Sequence, residues 1–219
     1  MIRSALAAAL LLATAPLLAQ EAPVQALAAP PAAAPEPAAP QYRTTRVRLE
    51  TADGPIVLEL ETERAPVTSA NFLKYVDQKK FDGATFYRAY NVPGHPGLGL
   101  IQGGAKSDPK RMLPPIAHEP TSKTGLSHKE GAISMARAAP GSAQGDFFII
   151  LGDLSSLDAN PAAQGDNAGF AVFGRVAEGM DVVKKILAAP VSTTEGVGAM
   201  KGQMIEKPIA IKAASRQPK

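Results

Sequence analysis

The chain is 219 residues long, 45% hydrophobic and 20% charged, with 23 basic against 20 acidic residues and a net charge of +3. That composition fits a soluble globular protein with one good core, and charges scattered singly exclude the basic stripe that a nucleic-acid partner would require. With no cysteine, disulfides, thiolate metal sites and a cysteine-linked lipid anchor are excluded as well.

The first residues, "MIRSALAAALLLATAPLLAQ", run from a positive start at Arg3 through an Ala/Leu stretch to small residues near Ala19. They read as a secretory signal peptide over residues 1–19, too short in its apolar run for the roughly 20 residues of a membrane span. Residues 20–41 are almost all Ala and Pro with a few polar residues. With no aromatic residue and only Val24 and Leu27 branched, such a stretch has too little apolar surface to offset the entropy of ordering, so it is expected to be an extended spacer. The expected location is periplasmic or secreted, with no membrane association after signal cleavage.

From Tyr42 the pattern changes. "RVRLE" and "IVLELE" alternate around Asp53-Gly54, which predicts a β-hairpin. "ERAPVTSANFLKYVDQKKFDG" places Pro66 in a first turn and Phe72, Leu73 and Val76 at helical spacing, predicting an amphipathic helix. Short apolar runs follow at "ATFYRAY", "LGLIQGG", "GAISMA", "FFIIL" and "FAVFGRV", separated by Gly/Pro/Asn/Asp loops. A second helix is predicted in "EGMDVVKKILAAP", with Met180, Val183, Ile186 and Leu187 on one face, and a last strand in "KPIAIKAAS". Two helices and seven or eight short strands predict a mainly β fold over residues 42–215, a closed antiparallel barrel capped by helices.

Several chemistries lack their residues. H-E-x-x-H and G-x-S-x-G are absent, and His95, His118 and His128 lie in separate loop-like segments, so metal or triad hydrolysis is not expected. "GHPGLGLIQGG" has Gln102 where a phosphate-binding loop would need another glycine. The loop "DANPAAQGDNAG" carries Asp158, Asn160, Asp166 and Asn167 without EF-hand spacing, and reads as a surface insertion more than a calcium site.

What remains is an ordered set of segments. "FYRAY", "IQGG", "GAISMARAAPGSAQGDFFI", "LD" and "FAVFGRVAEGMDVVKKI" together resemble the cyclophilin-type peptidyl-prolyl isomerases from about Tyr42 to Ala213. The resemblance implies a closed eight-stranded antiparallel barrel with two capping helices, a substrate groove on its outer face, proline-containing polypeptides as partners, and a monomer. It implies Arg88 as the catalytic arginine and Gln102 as its hydrogen-bonded partner. Leu100, Phe148, Leu157 and Phe170 would form the proline pocket, with Ala136, Arg137 and Ala138 along the groove, their small side chains and free backbone groups admitting an extended peptide. In this reading the adjacent Phe147 and Phe148, which a strand sends to opposite faces, divide between the barrel interior and the pocket.

The chemistry suits these residue types. Peptide-bond rotation faces a barrier of about 18–20 kcal/mol because conjugation is broken, and X-Pro bonds isomerise unaided in roughly tens to hundreds of seconds. A permanently charged guanidinium near the prolyl nitrogen and an apolar pocket around its ring lower that barrier without nucleophile, metal or cofactor. If they favour the twisted state by about 5–7 kcal/mol, the rate rises roughly 10⁴- to 10⁵-fold. A second class of function, a proline-peptide-binding chaperone or assembly module with weak or no catalysis, would use the same groove.

Departures from the family pattern concentrate at the pocket. Gly99 stands where an aromatic is usual, leaving the wall open or filled by Tyr90, and Ser156 replaces an aromatic often important for the family's cyclic-peptide inhibitor. Asp146 and Arg137 replace neutral residues and would either select residues flanking proline or pair with each other.

Overall fold

The computed structural model describes residues 41–106 and 108–218. The predicted signal peptide, and the linker up to its last residue, lie outside the described residues.

The Asp53-Gly54 turn forms as its residue types demand. It joins β1 (Thr45–Thr51) to β2 (Gly54–Leu60) with Thr51 opposite Gly54. The Thr51 hydroxyl donates to the Gly54 carbonyl at 2.6 Å and accepts the Asp53 N–H at 3.1 Å, so the turn is braced from inside. Next, α1 (Pro66–Asp77) starts on Pro66, whose fixed φ suits a first turn. Its own N-cap, Ala65, offers no side-chain acceptor. The buried carboxylate of Glu119 substitutes from a distant loop, accepting the N–H groups of Val67 and Thr68 and the Thr68 hydroxyl.

The chain continues through β3 (Ala84–Asn91), β4 (Gly99–Gly104), a single helical turn α2 (Thr121–Thr124), β5 (Ala132–Met135), β6 (Asp146–Leu151), β7 (Ala171–Glu178), α3 (Met180–Leu187), β8 (Val191–Ser192) and β9 (Met204–Arg216). The strands pair antiparallel in the order β1-β2-β7-β5-β6-β4-β3-β9, and β9 pairs back onto β1. The barrel is therefore closed with eight strands, which removes free sheet edges. The two-residue β8 is a ninth strand hung on β9. Of the helices, α1 and α3 are the two anticipated from sequence. The additional α2 is too short to show periodicity and stops at Gly125, whose φ of 69° is left-handed.

Strand parity sorts the apolar residues into two clusters. The larger fills the barrel and the undersides of α1 and α3, with Phe72, Phe81, Phe86, Phe147 and Phe173 all fully buried. The smaller contains Leu100, Ala132, Phe148, Ile150 and Val172, flanked by Tyr90, Ala136, Leu157 and Phe170. In β6, Phe147, Ile149 and Leu151 belong to the first cluster, while Phe148 and Ile150 belong to the second. One strand thus builds the core on one face and the floor of an outer groove on the other.

Register shifts occur at several places around the barrel, in β1, β2, β5 and β3, and the one in β3 is decisive for the groove. Across β3 and β4, Phe86 pairs with Gly103 but Arg88 with Gln102, so Tyr87 is an extra residue. The same break appears against β9, where Phe86 faces Ile209 and Arg88 faces Met204. The residues skipped on β9 include Pro208, which has no N–H to give a ladder. This bulge lets Tyr87 and Arg88, neighbours in sequence, border the same outer groove.

Candidate active site

The outer groove has a volume of about 1050 Å³. Arg88, Leu100, Gln102, Ala136, Arg137, Ala138, Phe148, Leu157 and Phe170 all border it. Different elements and loops contribute them, brought side by side by the pairing of β3, β4, β6, β5 and β7.

Arg88 is held from two sides. Its Nη1 donates to Gln102 Oε1 at 2.7 Å, and its Nε to Gln203 Oε1 at 2.8 Å. Gln102 turns its amide nitrogen to the Tyr87 hydroxyl at 2.9 Å. Tyr87 lies close enough to the Asp146 carboxylate to feel its charge, and Asp146 Oδ1 accepts the Lys106 N–H at 2.7 Å. Burial foremost, then the charge of Asp146, push the Tyr87 hydroxyl far above its ordinary range. It therefore stays protonated and accepts from Gln102, which turns the Gln102 oxygen toward Arg88. Burial also lowers the pKa of the Arg88 guanidinium, but its starting value is so high that it remains charged.

The apolar half is an aromatic corner. Phe148 and Phe170 meet edge to face at 5.3 Å between centroids, a favoured arrangement for such rings. Tyr90 also lines the groove and lies 5.9 Å beneath the Arg88 guanidinium. At Gly99 a Cβ would sit 2.0 Å from the Tyr90 carbonyl oxygen. The close approach of β3 to β4 thus excludes any side chain at 99, and Tyr90 occupies the wall that an aromatic there would have supplied. Met112, Met200 and Met204 complete the rim, adaptable side chains on a surface that accommodates varied neighbours.

Arg137 does not pair with Asp146. Its side chain is only 2% exposed and forms a bidentate ion pair with Asp166 at 2.6 and 2.9 Å. It also donates to the Gly169 carbonyl and lies 5.0 Å over the Phe170 ring. This hydrogen-bonded pairing lowers the Asp166 pKa. The loop over residues 158–169 is thereby tied to the groove, and the Arg137 charge is used internally. The expectation of free backbone groups here needs correcting as well: the Ala136 N–H bonds the Asp146 carbonyl, and the Ala138 N–H the Ser142 hydroxyl. Of these three residues, Arg137 is the one whose main-chain N–H and carbonyl make no hydrogen bond among the described residues.

The histidines are dispersed, as their sequence positions suggested. His95 is exposed and His118 bonds the Ala168 carbonyl at 2.9 Å. His128, wholly buried, stacks against Phe148 with centroids 5.9 Å apart, between Asp158 at Nδ1 and Ser134 at Nε2. These three have the bond order of a hydrolytic triad, but Ser134 is fully buried behind the groove floor and no substrate carbonyl can reach it. With Asp158 on His128 and Asp166 on Arg137, the insertion loop's carboxylates are committed. Among the described residues, no group of three or more His, Cys, Asp or Glu side chains could hold a metal ion.

Burial lowers the His128 pKa, with Asp158 opposing the shift. The unfolded chain then binds a proton at pH values where the folded protein does not, so stability rises with pH across that window. The contribution is complete above the unfolded value of about 6.5 and declines as pH falls below it. Between roughly pH 7 and 5 the melting temperature should fall more for the wild type than for His128→Asn. Equal declines would show that the imidazole protonates freely in place.

The chain is similar to known proteins along most of its described length. Residues 46–214 match the family described as cyclophilin type peptidyl-prolyl cis-trans isomerase/CLD. The peptidyl-prolyl cis-trans isomerase of Acinetobacter baylyi is 37% identical over 153 residues, covering 68% of this chain and 75% of the relative. Peptidyl-prolyl cis-trans isomerase A of Dickeya dadantii is 37% identical over 182 residues, covering 81% and 87%. The crystal structure of a cyclophilin type isomerase from Cryptosporidium parvum superimposes with a TM-score of 0.62 at 20% identity, over 81% of this chain and 99% of that one.

Proposed function

Since the chain belongs to the cyclophilin-type peptidyl-prolyl cis-trans isomerases and acts on X-Pro bonds of polypeptides, we propose that Arg88 is its electrostatic catalyst. Gln102 orients the guanidinium, and Phe148, Leu100, Leu157 and Phe170 hold the prolyl ring. The single observation that carries this assignment is the charged, half-buried Arg88, fixed by hydrogen bonds at the edge of an aromatic corner. As the C–N bond twists, the prolyl nitrogen regains a lone pair, and an N–H of Arg88 donates to it in the twisted state only. An interaction made more strongly there than in the planar amide lowers the barrier. The Arg137 main chain, flanked by the small Ala136 and Ala138, pairs with the extended peptide beside proline.

We further propose that the substrates are unfolded exported proteins, met by a monomer outside the cytoplasm. The support is the signal-like stretch before Ala19 and a Met-rimmed groove that tolerates varied neighbours of proline. The mature amino terminus, sequenced from exported protein, should lie near Gln20; a start at Met1 would overturn export. NMR exchange of a short X-Pro peptide tests the activity. Cis and trans signals should exchange far faster than the spontaneous tens to hundreds of seconds when the full chain is added at catalytic concentration. Bound peptide with unchanged exchange would leave the groove a recognition surface alone.

A further inference from the structure

Gln203 lies on the turn that leads into β9, 115 residues from Arg88 in sequence, yet its side-chain oxygen takes the Arg88 Nε–H at 2.8 Å. We propose that Gln203 is a positioning residue for catalysis, acting through Arg88; the inference rests on the role assigned to that arginine above.

A guanidinium is planar and rigid, but it sits at the end of a long, rotamer-rich chain. A bond at Nη1 alone, from Gln102, leaves the plane free to swing about that contact. A second bond at Nε fixes both the plane and its rotation within the plane. Two of the five N–H groups are then committed to glutamine oxygens and three are left for a substrate.

Gln203 is itself fixed in the orientation this requires. Its Nε2 donates to the Ala199 carbonyl at 2.7 Å, so its oxygen must face Arg88. Its main-chain N–H bonds the Met200 carbonyl at 3.1 Å, and its carbonyl accepts the Ala89 N–H at 3.0 Å, on the residue after Arg88. A flipped amide would lose the Ala199 bond and set N–H against N–H. Met200 and Met204 on either side line the groove, so one loop builds part of its rim and holds the catalytic side chain. The turn's contribution is invisible to strand patterning because it comes from a loop that only the pairing of β9 with β3 brings beside Arg88.

Gln203→Met keeps the length and apolar stem of the side chain and removes the acceptor. In the full-length chain we expect kcat for an X-Pro peptide to fall about 10- to 100-fold, the scale of a misplaced catalytic group, with KM within about twofold. In an Arg88→Ala background the same substitution should change the residual rate less than about twofold, since coupled residues do not act additively. In the wild type, ¹⁵N NMR should show an exchange-protected Arg88 Nε–H signal that shifts or broadens in Gln203→Met. The proposal is overturned by an unchanged kcat, by an equal loss in the Arg88→Ala background, or by an unprotected Arg88 Nε–H in the wild type. A wild type without isomerase activity would overturn the role of Arg88 first and this proposal with it.

Discussion

Arg88→Ala is expected to lower kcat/KM for an X-Pro peptide by about 10²- to 10³-fold, or roughly 2.7–4 kcal/mol, the cost of removing one preorganised donor. The loss should be large because the guanidinium is half-buried against Tyr90 and the groove, where a charge interacts more strongly than in water. It is also held in advance by Gln102 and Gln203, so little reorganisation accompanies the reaction. Arg88→Lys should recover little of the loss, because a lysine ammonium cannot present a planar fork to two glutamines and a substrate together. The melting temperature should fall only modestly, since Gln102, though buried in the wild type, borders the groove and can take water in place of the guanidinium. Exchange NMR with the peptide decides the matter. A variant as fast as the wild type would move the catalytic donor elsewhere in the groove.

The second large effect separates the two adjacent phenylalanines. Phe147 is fully buried, with Phe72, Phe81 and Phe86 at 5.3, 5.5 and 5.7 Å between centroids. Phe147→Ala opens a cavity among rings that cannot collapse into it, and should cost about 3–5 kcal/mol of stability. At about 2–4 °C per kcal/mol for a domain of this size, denaturation should come roughly 6–20 °C earlier. Below that temperature KM should hold within a few-fold, because the residue faces away from the groove. Phe148→Ala should do the reverse. Its neighbours are the smaller outer cluster and the rings of Phe170 and His128, so the stability loss is smaller, while loss of an aromatic anchor of about 2 kcal/mol raises KM roughly 30-fold. Thermal melts and peptide kinetics on both variants test the division. The same profile from both would mean that the strand does not separate core from groove.

Local chemistry made much of this legible. Asp53-Gly54 between alternating runs specified the first hairpin, Pro66 and the spacing of Phe72, Leu73 and Val76 specified α1, and the face of Val183, Ile186 and Leu187 specified α3. The alternation in "DFFIIL" placed Phe147 and Phe148 on opposite sides of β6. Each is a rule about residues within a turn or two of one another, and such rules hold wherever the segment ends up. The family resemblance added the closed order of strands, which no periodicity encodes.

The rest depended on partners distant in sequence. A bulge at Tyr87 overrides alternation, because the skipped residues on β9 must be absorbed where Pro208 cannot join the ladder. Arg137 could be seen as a charge beside the groove, but only the folded loop shows that Asp166 and the Gly169 carbonyl take it up. His128 offered no signal in sequence that it would stack behind Phe148. Gln203 gave no sign that it would hold Arg88. Sequence alone determined the longer strands, α1 and α3, but not the short α2 and β8, and it determined which residue types the chemistry needs, because backbone geometry and side-chain periodicity are local. Tertiary structure alone decided which polar groups satisfy one another, because a buried donor takes whatever acceptor barrel closure brings within about 3 Å, however far away in the chain.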